Sequence, residues 1–173
     1  TSPDRINLAT IRKGEYEGMG EKLKTKEWIP DYGPNELNET AGVTAIGARE
    51  FLIAYNINLN TQSKNIATDI ALDLREMGRN KRHPVTNKFI RDENGIPIKR
   101  PGKLKAVKAV GWYIDEYSVA QLSMNLVDYT LTPVHIAFEE SRIEARKRGV
   151  RVTGSELVGL IPLKAMLDAG NYY

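Results

Sequence analysis

The chain has 173 residues and no cysteine, which excludes disulfides, thiolate nucleophiles and cysteine-held metals and favours a reducing, cytoplasmic setting. Hydrophobic residues make up 41% and charged residues 27%, which is ordinary for a globular domain, and no apolar run is long enough to span a membrane. The net charge of +3 conceals one basic segment, residues 79–105, with nine Lys or Arg against two acids, and a charge confined to one segment argues against a nucleic-acid partner.

The first 27 residues have the apolar spacing of two short helices divided by Gly14. Residues 31–49 follow and are too rich in Gly, Pro, Asn and Thr for a regular element, so they are predicted to form a loop. The chain begins with Thr-Ser-Pro-Asp instead of Met, which suggests that it is a piece of a longer protein.

Strict alternation from Phe51 to Leu59 predicts a strand whose apolar face carries Phe51, Ile53, Tyr55, Ile57 and Leu59. A helix is predicted next, because Ser63 is a good N-cap and Gly78 is a typical C-terminal residue. Its apolar stripe comprises Ile66, Ala67, Ile70, Ala71, Leu74 and Met77.

The basic segment is predicted to form an excursion outside the core, with a tight turn at Asn94-Gly95. Two strands are predicted after it, over residues 105–116 and 119–129. In the first of them Trp112 is expected to pack in the core, where truncation to Ala would cost about 3–5 kcal/mol.

Thr132 and Pro133 are predicted to be the N-cap and first residue of a helix that ends at Gly149. A short strand over residues 150–158 and a helix after Pro162 complete the chain. The order from Phe51 predicts an α+β fold, a ferredoxin-like β-α-β-β-α-β sandwich with an extra C-terminal helix.

One face of the predicted sheet is polar. Its residues are amides and a hydroxyl on two strands: Asn56, Asn58, Gln121, Ser123 and Asn125. This pattern suits a polar ligand or a wet interface, and a solvated sheet face fits it equally well.

The residues alone indicate no catalytic group. His83 is expected at the surface and His135 as a partly buried structural histidine. The two histidines and the scattered acids lack metal-ligand spacing, so no metal site is predicted.

Five segments resemble the formiminotransferase domain of the glutamate formimidoyltransferase family. They are IRKGEYEG (11–18), WIPDYGP (28–34), TAIGAREFLIAYNINLNT (44–61), GWYIDE (111–116) and SELVGLIPLKAMLDA (155–169). They follow the family's order over nearly the whole chain, whereas the basic segment around residues 82–98 is longer than in animal members.

The resemblance implies a transferase that moves a formimino group from N-formimino-L-glutamate to N5 of tetrahydrofolate, the co-substrate, in histidine degradation. Family members bind folate between two ferredoxin-like subdomains. Residues 1–44 would be the end of the N-terminal subdomain with a folate-contacting linker, and residues 45–173 the C-terminal subdomain.

The resemblance also implies partners. The catalytic histidine of the family lies in the N-terminal subdomain, so the chain is expected to lack it, to be inactive alone and to pair with the missing part of that subdomain. A homodimer is expected, with no nucleic-acid or membrane partner.

The family's folate-binding segment matches ten consecutive residues. They are Gly33, Pro34, Asn35, Glu36, Leu37, Asn38, Glu39, Thr40, Ala41 and Gly42. An alternative is a non-catalytic ferredoxin-like module that binds a ligand or RNA, although such modules lack this loop.

Overall fold

The computed structural model describes residues 5–173, and the chain divides after Arg49 into two compact units. In the first unit, α1 (Leu8–Ile11) and α2 (Glu15–Leu23) are separated by Gly14, whose φ of 95° is left-handed. A single 3-10 turn follows at Lys26–Trp28. The predicted pair of helices is confirmed for the described residues; residues 1–4 of that prediction lie outside them.

The second unit contains the remaining elements. They are β1 (Ile53–Leu59), α3 (Lys64–Leu74), β2 (Arg79–Asn80), β3 (Lys99–Arg100), β4 (Val107–Ile114), β5 (Val119–Leu126), α4 (Val134–Lys147), β6 (Val152–Val158) and α5 (Leu163–Tyr172). β4, β5, β1 and β6 form an antiparallel sheet in that order. This mixture of helices and antiparallel strands confirms the predicted α+β class.

The core lies between this sheet and helices α3 and α4. Alternating residues of β1, β4 and β5 point toward it, and the buried side chains of α3 meet them: Ile53, Tyr55, Ile57, Leu59, Val107, Ala109, Leu122, Met124, Leu126, Ala67, Ile70, Ala71 and Leu74. At Gly111 the helix approaches closely, since a Cβ there would lie 2.1 Å from the backbone nitrogen of Thr68. Only glycine permits this contact between α3 and β4.

The two helix starts turn out differently. Ser63 is the predicted N-cap of α3, because its Oγ accepts a hydrogen bond of 3.4 Å from the Ile66 amide. The N-cap prediction for Thr132 is wrong. Its buried hydroxyl donates to the Lys105 carbonyl at 2.7 Å instead, and α4 begins at Val134 after Pro133.

The basic segment forms a hairpin outside the four-stranded sheet, as predicted. β2 pairs with β3, and isolated bridges join Arg82 to Phe89 and Arg91 to Pro97. These bridges close two turns: the Asn87 amide donates to the His83 carbonyl at 2.9 Å in one, and the Gly95 amide donates to the Asp92 carbonyl at 3.0 Å in the other.

Three large side chains predicted in the core are exposed instead. Phe51 precedes β1 and Met77 lies beyond the end of α3, so neither continues the periodicity of its element. Trp112, 43% exposed, is on the β4 face that points away from the helices. Among the helices described over residues 5–173, none is both long and apolar enough to cross a membrane.

Candidate functional site

The predicted folate-contacting segment ends in a closed turn. The Gly42 amide donates to the Asn38 carbonyl at 2.8 Å, and the Asn38 side-chain oxygen accepts from the amides of Thr40 and Ala41. Gly42 has a φ of 69°, which favours glycine. The tyrosine hydroxyl of Tyr16 on α2 donates to the Glu39 carbonyl at 2.8 Å and holds the turn against that helix.

A cleft of about 420 Å³ lies beside this turn. Three of the ten predicted residues line it, namely Leu37, Ala41 and Gly42, together with Tyr16 and Met19 of α2. The lining is mixed, because Arg12 and Glu15 join these apolar and aromatic side chains, and the volume is within the range of small-molecule sites.

The other predicted residues are placed differently. Gly33, Pro34, Asn35 and Glu36 are exposed in the preceding loop and do not line the cleft. Asn38, Glu39 and Thr40 are exposed too, and their hydrogen bonds shape the turn.

A second polar arrangement occupies the face of the four-stranded sheet opposite α3 and α4. We call it the polar row: Trp112 on β4, Gln121 on β5, Asn58 on β1 and Glu156 on β6. Trp112 Nε1 donates to Gln121 Oε1 at 2.7 Å, and Gln121 Nε2 donates to Asn58 Oδ1 at 2.6 Å and Glu156 Oε2 at 3.0 Å. Asn58 Nδ2 donates to Glu156 Oε1 at 3.0 Å. The row therefore crosses all four strands.

The indole fixes the direction of these hydrogen bonds. An indole N–H can only donate, so the side-chain oxygen of Gln121 must face Trp112 and its NH₂ group must face Asn58 and Glu156. Asn58 then accepts from Gln121 and turns its own NH₂ toward Glu156. The hydrogen bonds converge on the Glu156 carboxylate, while Gln121 is fully buried.

The sequence pattern predicts only part of this row. It placed Asn58 and Gln121 on the polar face but missed Trp112 and Glu156. The alternation along β4 could have revealed Trp112. Ala109 and Gly111 are the small residues that a close helix requires, so Trp112 must lie on the opposite face. Glu156 depends on the pairing of β6 with β1, which brings it opposite Asn56.

Both histidines match their predictions. His83 is exposed and its Nδ1 accepts from the amides of Val85 and Thr86, so it serves the hairpin. His135 is half-buried and its ring stacks on Tyr172 with centroids 4.5 Å apart. Neither histidine lines the cleft, and neither takes part in the hydrogen bonds of the polar row.

An ionic cluster joins α3 and α4. Burial alone would raise the pKa of Glu144, but hydrogen bonds from Lys147, Lys103 and Arg148 outweigh it and lower that pKa to about 2. Arg148 also contacts Asp69 and Asp73 on α3, at 2.6 and 2.5 Å. Because each carboxylate in the cluster faces cations, we regard it as structural.

The basic hairpin and α3 enclose a larger groove of about 1010 Å³. Two of its arginines are engaged with acids of α3: Arg79 with Asp69 at 2.7 Å and Arg100 with Asp73 at 2.6 Å. These ion pairs attach the hairpin to the core, and no ligand is assigned to the groove.

Two family models match the chain. The model described as formiminotransferase domain covers residues 54–173, and the model for the N-terminal subdomain of that domain covers residues 1–49.

Individual relatives agree with these models. The formimidoyltransferase-cyclodeaminase of Mus musculus is 47% identical over 99% of this chain and 28% of its own length. The glutamate formimidoyltransferase of Streptococcus pyogenes serotype M1 is 41% identical over 100% of this chain and 50% of its own length, and that of Thermoplasma acidophilum is 38% identical over 99% and 49%. The chain thus spans between about a quarter and half of these relatives.

Proposed function

Because the chain belongs to the formiminotransferase domain family, we propose that it is part of a glutamate formimidoyltransferase. In this proposal the enzyme transfers a formimino group from N-formimino-L-glutamate to N5 of tetrahydrofolate in histidine degradation. The observation that supports it is similarity along the whole chain to relatives named for this activity.

The chemistry requires positioning and one proton transfer. The N5 lone pair forms a bond to the formimino carbon, the tetrahedral adduct loses its bond to the glutamate nitrogen, and the N5 proton ends on that departing nitrogen. Holding two substrates in register supplies much of the rate enhancement, and a group with a pKa near neutrality moves the proton. His83 serves the hairpin and His135 stacks on Tyr172, so we assign the proton transfer to neither.

We place tetrahydrofolate, the co-substrate, at residues 33–42. Leu37, Ala41 and Gly42 line the cleft beside α2, which offers apolar side chains and the ring of Tyr16 to a flat heterocycle and the charged groups of Arg12 and Glu15 to its polar atoms. The exposed residues 33–36 would contact the ligand from the loop. Residues 33–42 contain no lysine or arginine. This composition suits a neutral pterin ring, which is recognised by shape and hydrogen bonds.

The proposal extends to architecture. Antiparallel order β4-β5-β1-β6, with α3 and α4 as the two crossovers, supports a ferredoxin-like unit for residues 50–173, with the hairpin inserted and α5 added. The proposal also includes a homodimer, and it includes a requirement for the missing part of the N-terminal subdomain before the chain is active.

A chimera tests the function. In the Streptococcus pyogenes relative, this chain would replace the matching half, and formimino transfer would be measured with N-formimino-L-glutamate and tetrahydrofolate by mass spectrometry. We expect transfer by the chimera and none by the relative lacking that half. A folded but inactive chimera, or tight RNA binding by the chain without folate binding, would overturn the proposal.

The same chimera tests the folate site. Ala41→Trp fills the cleft and is expected to raise the KM for tetrahydrofolate about tenfold or more while leaving the KM for N-formimino-L-glutamate unchanged. Ile98→Trp in the hairpin is the matched control. Equal effects of both variants would remove the cleft as the folate site.

A further inference from the structure

The Glu156 carboxylate is held in place by hydrogen bonds, but its capacity to accept them is not filled. Each of its oxygens accepts one hydrogen bond of 3.0 Å, from Asn58 and from Gln121. A carboxylate offers about four acceptor positions, so one on each oxygen remains available. Glu156 is partly exposed on the sheet face opposite the helices, which leaves these positions accessible.

The polar row does not neutralise this carboxylate. Both of its donors are neutral amides, and the ion pairs within residues 50–173 do not include Glu156. Gln121 is completely buried and its side-chain groups all bond within the row, so the carboxylate cannot turn away without leaving one buried N–H of Gln121 unpaired. The result is a carboxylate held in place with one acceptor position left on each oxygen.

We infer that Glu156, positioned by Asn58 and Gln121, binds an amidinium cation, specifically the formimino group of the substrate. This inference rests on the proposed function. A formimino group is an amidine, protonated near neutral pH, and its planar N–H groups match the two oxygens of a carboxylate as a guanidinium does.

The transferred group has a further property that suits a fixed anchor. It is an amidinium both before transfer, on glutamate nitrogen, and after transfer, on N5. An anchor on its terminal nitrogen therefore need not move while the carbon exchanges its other nitrogen. The pyrimidine edge of a pterin also has two parallel N–H donors, but it is neutral, and the uncompensated charge of Glu156 favours the cation.

Side-chain NMR signals of the 173-residue chain test the binding directly. The NH₂ groups of Asn58 and Gln121 touch Glu156, so an occupant should shift their signals. We expect formamidinium chloride and N-formimino-L-glutamate to shift both signals saturably, and Glu156→Gln to abolish the shifts. Glu116→Gln in the exposed β4–β5 turn makes the same change of charge and should leave them intact.

Three results would overturn the inference. The first is that neither amidinium compound shifts the signals, and the second is that the shifts persist in Glu156→Gln. The third is a shift caused by tetrahydropterin but not by formamidinium, which would assign the carboxylate to the folate ring.

Kinetics of the chimera separate this inference from the proposed function. We expect Glu156→Gln to raise the KM for N-formimino-L-glutamate at least about tenfold, the loss typical of a hydrogen bond to a charged group, with little change for tetrahydrofolate. An active chimera with unchanged KM in Glu156→Gln would refute the anchor and leave the function standing. An inactive chimera whose Asn58 and Gln121 signals still respond to formamidinium would refute the function and retain amidinium binding.

Discussion

A single hydrogen bond explains why Trp112 faces away from the core. Its indole N–H reaches the fully buried side chain of Gln121 at 2.7 Å, while Gly111 next to it accepts the close approach of α3. Exchanging their faces would place a large ring where no Cβ fits. Trp112 therefore orients the polar row instead of filling the core.

Replacing Trp112 with Phe is expected to cost about 1–3 kcal/mol of unfolding free energy. The substitution keeps most of the ring but leaves the buried oxygen of Gln121 without its donor. Urea denaturation would measure this loss. Val110→Ala, at an exposed position of the same strand face, should change the stability by less than about 0.5 kcal/mol.

A substitution in the core gives the stability loss against which Trp112→Phe is compared. Ile57 is fully buried, and Ile57→Ala should cost about 2–5 kcal/mol. A Trp112→Phe variant as stable as the parent chain would show that the indole hydrogen bond does not hold Gln121 in solution.

Among the elements, α3 and α4 are joined by charge as well as by packing. Glu144 is 4% exposed and accepts from Lys103, Lys147 and Arg148 at 2.9, 2.8 and 2.7 Å. Glu144 is the buried member of the cluster, so removing one of its cations leaves a buried carboxylate with less compensation, which costs more than forming the pair gains.

This cluster predicts an acid-dependent loss of stability. The pKa of Glu144 is lowered in the folded chain to about 2 from 4.5, so its contribution is complete above pH 4.5 and is lost as the pH falls toward 2. That contribution is about 3 kcal/mol. Urea unfolding between pH 2 and 7 should show a steep fall for the parent chain and a shallower one for Glu144→Gln.

The matched control for this pH series is Glu116→Gln, whose residue lies exposed in a turn. It should reproduce the parent profile. If Glu144→Gln gave a profile parallel to that of the parent chain, the lowered pKa of Glu144 would be wrong.

Elements were predictable where local pattern decides them. Alternation located β1 and β5, and Ser63 marked the start of α3 because its cap acts within three residues. Thr132 failed because a distant carbonyl, that of Lys105, takes its hydroxyl. Sequence spacing carries no information about such a tertiary hydrogen bond.

Across the whole molecule, the two candidate sites also differ in whether local sequence or tertiary contacts define them. The loop over residues 33–42 was recognisable as a continuous motif, although only the geometry separates Leu37, Ala41 and Gly42 from the exposed remainder. The polar row joins four strands that are distant in sequence. Its members Trp112 and Glu156 become neighbours of the predicted amides only through strand pairing.

The distribution of buried side chains predicts how the two units fold. Every member of the hydrophobic core cluster lies within residues 53–165, whereas Leu23 is the buried hydrophobic residue described for residues 5–49. A fragment of residues 50–173 therefore retains the whole core and is long enough to fold alone. Calorimetry should show one cooperative transition for it, with a Tm close to that of the main transition of the full chain. A fragment of residues 1–49 should show none, and an unfolded 50–173 fragment would mean that the core depends on the first unit.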